Sequence, residues 1–289
     1  MLVRGEPGVG KTQLAEGAAA ALQRPLLTTV VDSRTESRDL LYAFDSVRRL
    51  AEAQLCAALP KATDAEVRRL RRGIDHRRFL SPGPLWWAFD WDSAQVQARR
   101  SRTSCVTTPT DWQVSQGTVL LIDEIDKAET DVPNGLLEAL GSRRFTPPNW
   151  QTAVELQGEP PLVVITTNEE RTLPDPFLRR CIVLNLELPG SFDEEGRNET
   201  LRKWLVARAE VHFARSGSSR KVFDKAAELL LKDRHAALRE QWTPLPGQAE
   251  YLDLVRAVVE LDPGRPDDQL QRLESISEYV IRKHRAMAP

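Results

Sequence analysis

The sequence predicts an α/β fold, in which a parallel sheet is covered by helices and followed by an all-helical segment. Short apolar runs rich in Val, Ile and Leu are continuous rather than alternating, as in strands that are buried on both faces. These runs lie at 1–3, 26–31, 118–123, 161–167 and 181–188. Segments with helical spacing separate them, which is the βαβ arrangement of a parallel sheet.

Three helices are predicted between these strands. Residues 11–22 are rich in alanine, and residues 37–55 carry apolar side chains at three- and four-residue spacing. Residues 131–142 have a proline near the start and a glycine near the end, which are common signals for the two ends of a helix.

The connection between the second and third strands is too long for a simple crossover. It runs from Val31 to Thr118, whereas a parallel crossover needs only about a dozen residues. We therefore predict an insertion at about 60–117 and a hairpin at about 145–160, both within an α/β domain that covers residues 1–188.

The predicted insertion contains a basic cluster and three tryptophans. A solvated helix face is the simpler interpretation of the cluster, and a grip on nucleic acid or an acidic partner is the alternative. At least two of Trp86, Trp87 and Trp91 are expected to anchor the insertion against the core, with a partner-facing patch as the alternative. The basic cluster consists of Arg68, Arg69, Arg71, Arg72, Arg77 and Arg78.

Residues 189–289 are predicted to form a separate helical domain. Four segments have apolar residues at helical period, and stretches rich in turn-forming residues separate them. The four segments lie at 198–215, 219–233, 247–261 and 267–285.

Composition restricts the functional class. The 289 residues are 41% apolar and include 40 basic against 42 acidic residues, so net charge argues against nucleic acid as a partner. No apolar run approaches the roughly 20 residues of a membrane-spanning helix. The first residues do not form the apolar core of a signal peptide, so none is expected. Three cysteines without paired spacing are typical of a reducing compartment, so we predict a cytoplasmic protein without membrane insertion.

Residues 5–12 match the phosphate-binding pattern G-x-x-x-x-G-K-[ST]. Glycines let backbone N–H groups point at phosphate oxygens, and a helix that begins at Lys11 adds the positive end of its dipole. Lys11 is predicted to reach the β- and γ-phosphates, and Thr12 to bind Mg²⁺. A glycine-rich turn without a ligand is the alternative. The nucleotide-binding candidates here are Gly5, Glu6, Pro7, Gly8, Val9, Gly10, Lys11, Thr12 and Gln13.

Two adjacent carboxylates end the third predicted strand. Asp123 is predicted to join the nucleotide site and to bind Mg²⁺ with Thr12, and Glu124 to polarise the attacking water. An acidic helix start is the alternative, because carboxylates also favour a helix N-terminus. Phosphoryl transfer needs both the loop and the carboxylates, and their joint presence favours the catalytic interpretation.

Two further candidates flank the last predicted strands. Asn168 follows the fourth strand and could reach the γ-phosphate or the attacking water, although asparagine is also common in turns. Arg179 and Arg180 precede the fifth strand, where an arginine can stabilise charge on a neighbouring subunit's phosphoryl group. Two solvated or salt-bridged arginines are the alternative.

Taken together, these motifs resemble those of AAA+ ATPases. The segments EPGVGKTQLA, DEIDKAETDVPNGLLEAL and LPDPFLRR are similar to the MoxR-like branch of the helix-2-insert group. The resemblance implies a P-loop NTPase fold with strand order 5-1-4-3-2 and a C-terminal helical lid. It also implies that Asn168 is the sensor 1 residue and that Arg180 is the arginine finger, with Arg179 as runner-up.

The sequence departs from the family pattern in two places. AAA+ proteins often carry an arginine, called sensor 2, at the start of the third lid helix. Residues 240–255 contain no Lys or Arg, and Gln248, Ala249 or Glu250 stands at that place. The family's segment before the first strand, which helps to enclose the adenine, is also missing. We therefore expect either that the natural chain begins upstream of Met1 or that nucleotide binding is weak.

The resemblance implies an ATPase that uses ATP and Mg²⁺, forms an oligomeric ring, typically a hexamer, and remodels or assembles a protein partner. Partners of this branch typically carry von Willebrand factor A domains. The implied catalytic residues are Glu124, Asn168, Arg180 and Lys11. Two alternatives remain open: a nucleic-acid-associated NTPase motor of the restriction type, and a nucleotide-gated scaffold with little hydrolysis, which the missing sensor 2 arginine suggests.

Overall fold

The computed structural model describes residues 1–57, 73–189, 195–241 and 245–281. The chain divides into two compact units. The first unit comprises Met1–Arg4 and Thr12–Leu184, and the second comprises Gly5–Lys11 and the chain from Asn185 onward. The phosphate loop therefore belongs to the same unit as the C-terminal helices. The domain boundary near residue 188 stays a prediction.

Nine strands are present in the described residues. In chain order they are β1 (Leu2–Arg4), β2 (Leu26–Val30), β3 (Tyr42–Phe44), β4 (Leu80–Pro82), β5 (Val119–Asp123), β6 (Arg144–Phe145), β7 (Val154–Glu155), β8 (Leu162–Thr167) and β9 (Val183–Asn185).

Five of these strands form one sheet in the order β2-β5-β8-β1-β9. The pairs β2–β5, β5–β8 and β8–β1 are parallel. Numbered by their sequence within this sheet, the strands run 2-3-4-1-5, which confirms the predicted order 5-1-4-3-2 from the opposite edge. Val119–Ile122 of β5 are fully buried, as expected for a continuous apolar run between two layers.

Ten α-helices lie in the described residues. They are α1 (Lys11–Leu22), α2 (Ser46–Ala57), α3 (Pro84–Phe89), α4 (Trp91–Ser101), α5 (Asp131–Ser142), α6 (Asp175–Leu178), α7 (Glu195–His212), α8 (Arg220–Arg239), α9 (Gln248–Leu261) and α10 (Pro266–Val280). None of the helices in these ranges has the length and apolar character that a membrane span requires.

The prediction of a single helix over 37–55 was wrong in its first half. Ser37–Leu40 form a 3₁₀ turn, and the helix begins only at Ser46. Between them, β3 pairs antiparallel with β4, so that Ala43 lies opposite Ser81. Spacing of apolar residues reports only local preference, whereas this strand is decided by a partner far along the chain.

The described part of the predicted insertion contributes to the main core. Trp86 is fully buried, and Trp87 and Trp91 are each 5% exposed, which confirms the expectation that these side chains anchor the segment. They pack in one cluster with Leu120 and Ile122 of β5. Of the basic cluster, Arg68, Arg69, Arg71 and Arg72 lie outside the described residues. Within the predicted hairpin region, β6 and β7 pair antiparallel.

Helices α7–α10, here called the lid, have a hydrophobic core of their own. Leu205, Ala226, Leu254 and Leu273 are buried at its centre. Tyr251 is also fully buried, and its hydroxyl donates to the Phe223 carbonyl at 3.2 Å. Burial raises the pKa of the Tyr251 phenol above its usual value, so this side chain stays a neutral hydrogen-bond donor.

Candidate functional site

Three oxygen-bearing side chains meet at the carboxyl ends of β5 and β8. Because these strands are parallel neighbours, with Ile122 opposite Ile165, their ends fall at the same edge of the sheet. Asp123 ends β5, and its two carboxylate oxygens accept from two hydroxyls. Thr12 Oγ1, in the first turn of α1, donates to Asp123 Oδ2 at 3.0 Å. Thr166 Oγ1 of β8 donates to Asp123 Oδ1.

The pair of Thr12 and Asp123 fits a magnesium ion. Both are hard oxygen ligands, and Mg²⁺ is usually held by one or two protein oxygens together with phosphate oxygens and water. Thr12 Oγ1 and Asp123 Oδ2 lie 3.0 Å apart at the same edge of the sheet. The structure thus brings together the two residues that the sequence assigned to the metal.

Glu124 adopts a strained backbone conformation beside this cluster. Its φ of 61° and ψ of 46° are left-handed, which costs a residue other than glycine about 1 kcal/mol or more. Its N–H donates to Thr166 Oγ1 at 2.9 Å, which helps to hold the turn. Strain of this kind is typical of functional sites. The chain continues as a 3₁₀ turn over Ile125–Lys127, not as the acidic helix start of the alternative interpretation.

The Glu124 carboxylate forms an ion pair with Lys127. Lys127 Nζ donates to Glu124 Oε2 at 2.7 Å, and both side chains are partly exposed. This hydrogen bond raises the pKa of the Lys127 ammonium group. The carboxylate assigned to the attacking water is therefore already engaged by a cation.

Thr166 was not among the residues predicted from the sequence. Its side chain is fully buried, and its one hydroxyl both donates to Asp123 and accepts from the Glu124 N–H. It therefore sets the positions of two predicted site residues. The available signal was a hydroxyl residue at the end of a buried strand, next to the strand that carries the carboxylates.

Asn168 follows β8 directly and lies at the same sheet edge as Asp123 and Glu124. The next residue, Glu169, has a φ of 60°, and its N–H donates to Thr167 Oγ1 at 2.9 Å. This turn begins immediately after Asn168. The half-buried Asn168 side chain is thus where the sequence placed it, at the end of the strand adjacent to β5.

Arg179 and Arg180 are not part of the Asp123 cluster. They follow α6, whose Phe177 is fully buried, and the Arg180 N–H donates to the Phe177 carbonyl at 3.1 Å. Both arginines are exposed. Within the part of the chain that the structure describes, no hydrogen bond or ion pair joins either guanidinium to Asp123 or Glu124.

Residues Gly5–Lys11 of the phosphate loop belong to the second unit. Gly5 and Gly8 have φ values of 152° and 76°, which favour glycine. A Cβ on Gly8 would lie 2.7 Å from the Cβ of Ala249, and one on Gly5 would collide with the Leu186 carbonyl oxygen. A side chain on Gly8 would therefore clash with lid helix α9, and one on Gly5 with the segment that follows β9.

Lys11 is 8% exposed, and its ammonium group is enclosed by the loop itself. Lys11 Nζ donates to the Gly5 carbonyl at 2.8 Å and to the Glu6 carbonyl at 3.0 Å. The Val9 side chain is buried in the lid core, so only its backbone can serve a ligand. A buried cation beside glycine-rich backbone is an arrangement that can bind phosphate. Gln13 is exposed.

Comparisons with known proteins agree with this fold. Residues 1–181 match the AAA domain family, dynein-related subfamily. No curated protein matches the sequence.

Among solved structures, the chain is similar to NtrX from Brucella abortus in complex with ADP, with 14% identity, a TM-score of 0.50, and coverage of 100% of this chain and 52% of that one. It also matches a RuvB mutant from Thermotoga maritima, with 18% identity, a TM-score of 0.46, and coverage of 96% and 62%. The chain thus spans less than two thirds of either relative.

Proposed function

We propose, since the chain belongs to the AAA domain family (dynein-related subfamily), that it binds ATP with Mg²⁺ and hydrolyses the γ-phosphate. The observation that carries the proposal is the cluster of Thr12, Asp123 and Thr166 at the sheet edge, with Glu124 next in the chain. Residues 1–188 would act as the nucleotide-binding domain and residues 189–289 as its lid.

The phosphate loop would hold the triphosphate. The Lys11 ammonium group would exchange its carbonyl partners, Gly5 and Glu6, for the β- and γ-phosphate oxygens. The ammonium group would then face charged phosphate oxygens in place of neutral carbonyl oxygens, and the attraction between opposite charges favours this exchange. The remaining loop contacts would come from backbone N–H groups between Gly5 and Gln13, because the Val9 side chain is buried elsewhere.

Thr12 and Asp123 would hold the Mg²⁺ ion, which neutralises charge on the phosphate oxygens when it is bound. Thr166 keeps Asp123 in place through its hydroxyl and thereby orients the carboxylate for that role. The residues that would hold ATP and Mg²⁺ are Gly5, Glu6, Pro7, Gly8, Val9, Gly10, Lys11, Thr12, Gln13 and Asp123.

Glu124 would accept a proton from the attacking water, and Asn168 would orient that water from the adjacent strand end. Such general-base assistance contributes about 10²–10⁴-fold to a rate. Glu124 must first leave Lys127, whose ammonium group lies 2.7 Å from its carboxylate.

Arg180 would act on the nucleotide of a neighbouring subunit. Its exposed position is what a finger acting in trans needs. The protein would then work as an oligomeric ring, as a MoxR-like ATPase that remodels or assembles a protein partner with a von Willebrand factor A domain. These finer assignments rest on the sequence resemblance.

A nucleotide-gated scaffold with little hydrolysis is the second candidate. The ion pair between Glu124 and Lys127 favours it, because the carboxylate that would take the proton from water is already held by an ammonium group at 2.7 Å. A turnover typical of enzymes, above about 1 s⁻¹, would exclude this candidate.

The substitution Glu124→Gln tests hydrolysis. We expect turnover to fall by about 10²–10⁴-fold, while ATP still binds, because the loop and the metal ligands are unchanged. Phosphate release and nucleotide binding are the two measurements. Glu129→Gln is the matched control, since Glu129 is an exposed carboxylate that pairs with Arg171. Hydrolysis that survives in the Glu124 variant would contradict the proposal.

Mixing two inactive variants tests the finger in trans. Arg180→Ala and Glu124→Gln should each be inactive alone, and mixing them should restore part of the hydrolysis, because some interfaces then pair an intact Arg180 with an intact Glu124. Arg179→Ala is the control and should keep most activity by itself. If the mixture stays inactive while mixed assemblies form, Arg180 does not act in trans.

A further inference from the structure

We infer that Arg234 is a positioning residue that ties the phosphate loop to lid helix α8 through the carboxylate of Glu6. The inference rests on the proposed function, since it assigns to this contact the coupling of nucleotide binding to the lid. Arg234 does not replace sensor 2 by reaching the nucleotide. It acts on the loop that holds the nucleotide.

The first observation is a buried arginine with two partners. Arg234 is only 3% exposed. Its Nη2 donates to both Glu6 carboxylate oxygens, at 3.1 and 3.3 Å, and its Nη1 donates to the Pro246 carbonyl at 2.8 Å. A buried guanidinium is costly to desolvate unless it is paired and hydrogen-bonded. Here Glu6 of the loop supplies the opposite charge, and the Pro246 carbonyl, just before α9, accepts a further hydrogen bond.

The second observation is that the start of α9 touches the same loop. A Cβ on Gly8 would lie 2.7 Å from the Ala249 Cβ, and one on Gly247 would lie 3.9 Å from the Pro7 carbonyl oxygen. Arg234 links Glu6 to Pro246, which immediately precedes this contact. The loop is therefore held by α8 through charge and by the start of α9 through close packing.

These contacts explain how a lid without a basic residue at 240–255 can respond to nucleotide. In this chain the charge comes from the preceding helix, and its target is a side chain of the loop. Any shift of the loop that accompanies phosphate binding changes the distance between Glu6 and Arg234. Because Arg234 also holds Pro246, the shift is passed to the start of α9.

Coupling of this kind is reciprocal. We call the contact between Glu6 and Arg234 the tie. If bound nucleotide strengthens the tie by a given factor, then the tie strengthens nucleotide binding by that same factor, and breaking it lowers the affinity accordingly. We expect Arg234→Met to raise the dissociation constants of ATP and ADP by about tenfold. Turnover at saturating ATP should change less than twofold, because Glu124 and Asp123 are held by contacts that do not involve the tie.

The variants separate the tie from general packing. Glu6→Gln removes the charge from a half-exposed loop residue and should raise the same dissociation constants. Arg234→Lys keeps the positive charge but not the planar guanidinium that contacts Glu6 and Pro246 together, and we expect it to restore part of the affinity lost in Arg234→Met. Arg256→Met is the matched control and should leave affinity unchanged, since Arg256 is an exposed lid arginine paired with Asp253.

A double-mutant cycle decides whether Arg234 acts through Glu6. If it does, Arg234→Met should weaken nucleotide binding much less when Glu6 is already glutamine. Fully additive effects would overturn the inference, and so would single variants that bind ATP like the original protein. Thermal unfolding of each variant, measured alongside, separates loss of the tie from loss of the fold.

Hydrogen exchange of the nucleotide-free protein keeps the inference testable if ATP binding fails. Arg234→Met should speed exchange of the amides at Gly8–Gly10 and leave those of β5 unchanged. If the original protein does not bind ATP, the proposed function is wrong, while faster loop exchange would still support the tie. Unchanged loop exchange in Arg234→Met would overturn it in either case.

Discussion

The two regions that carry the proposed chemistry are held by different parts of the chain. At the sheet edge, Asp123 and Glu124 are positioned by Thr166, a fully buried residue of the neighbouring strand. In the phosphate loop, Glu6 and Gly8 are positioned by lid residues. The groups proposed for Mg²⁺ binding and bond cleavage therefore depend on the sheet, whereas the loop proposed for phosphate binding depends on the lid. Variants in the two regions should therefore fail in different ways.

The largest effect is expected at the sheet edge, with Thr166→Val. The isosteric change removes the hydroxyl from Asp123 and from the Glu124 N–H, and a misplacement of about 1 Å in a catalytic group can cost about 10²-fold. We expect kcat to fall by about 10²-fold, while the dissociation constant for ATP measured without Mg²⁺ changes little because the phosphate loop is untouched. Thr166→Ser should restore turnover because it keeps the hydroxyl. A valine variant with unchanged kcat would remove the role assigned to Thr166.

A smaller effect is expected for Gly8→Ala in the loop, and it should change nucleotide affinity and not kcat. The φ of 76° strains an alanine, and its Cβ would lie 2.7 Å from that of Ala249. We expect a rise of about tenfold in the dissociation constant for ATP, which corresponds to about 1.4 kcal/mol, with kcat nearly unchanged at saturation. Titration of binding together with steady-state kinetics measures both.

Gly17→Ala is the control for the loop variant. Gly17 lies in α1, and a methyl group added there would meet open space. Alanine should therefore leave nucleotide affinity unchanged and stabilise the helix by about 0.5–1 kcal/mol. If Gly8→Ala lowered kcat instead of affinity, the assignment of phosphate binding to the loop and of bond cleavage to the sheet edge would be wrong.

The smallest effect is expected for Lys127→Met. Lys127 holds the Glu124 carboxylate at 2.7 Å, but the pair is partly exposed and such pairs are typically worth about 0.2–1 kcal/mol. Releasing Glu124 should raise basal turnover by at most about fivefold, measured as phosphate release without a partner. Lys127→Arg should keep the original rate. A fall in turnover would mean that Lys127 orients Glu124 productively.

Much of the sheet-edge site was predictable from sequence. Parallel strands end at one edge, so residues that follow buried apolar runs meet there, and Asp123, Glu124 and Asn168 do so. Thr166 was not predicted because a threonine in a β-branched run is an ordinary strand residue until its neighbour is known. The pairing of Glu124 with Lys127 needed the left-handed turn at Glu124, which no local pattern indicates.

The sequence by itself determined the buried strands and the residues that match the phosphate loop, because these depend on short-range pattern. The strand order was implied by the resemblance to AAA+ ATPases. Only the tertiary structure decided that residues 42–44 form a strand and that Arg234 lies against Glu6. Both are contacts between segments far apart in the chain. Their energy depends on burial and on a specific partner, and local propensity contains neither.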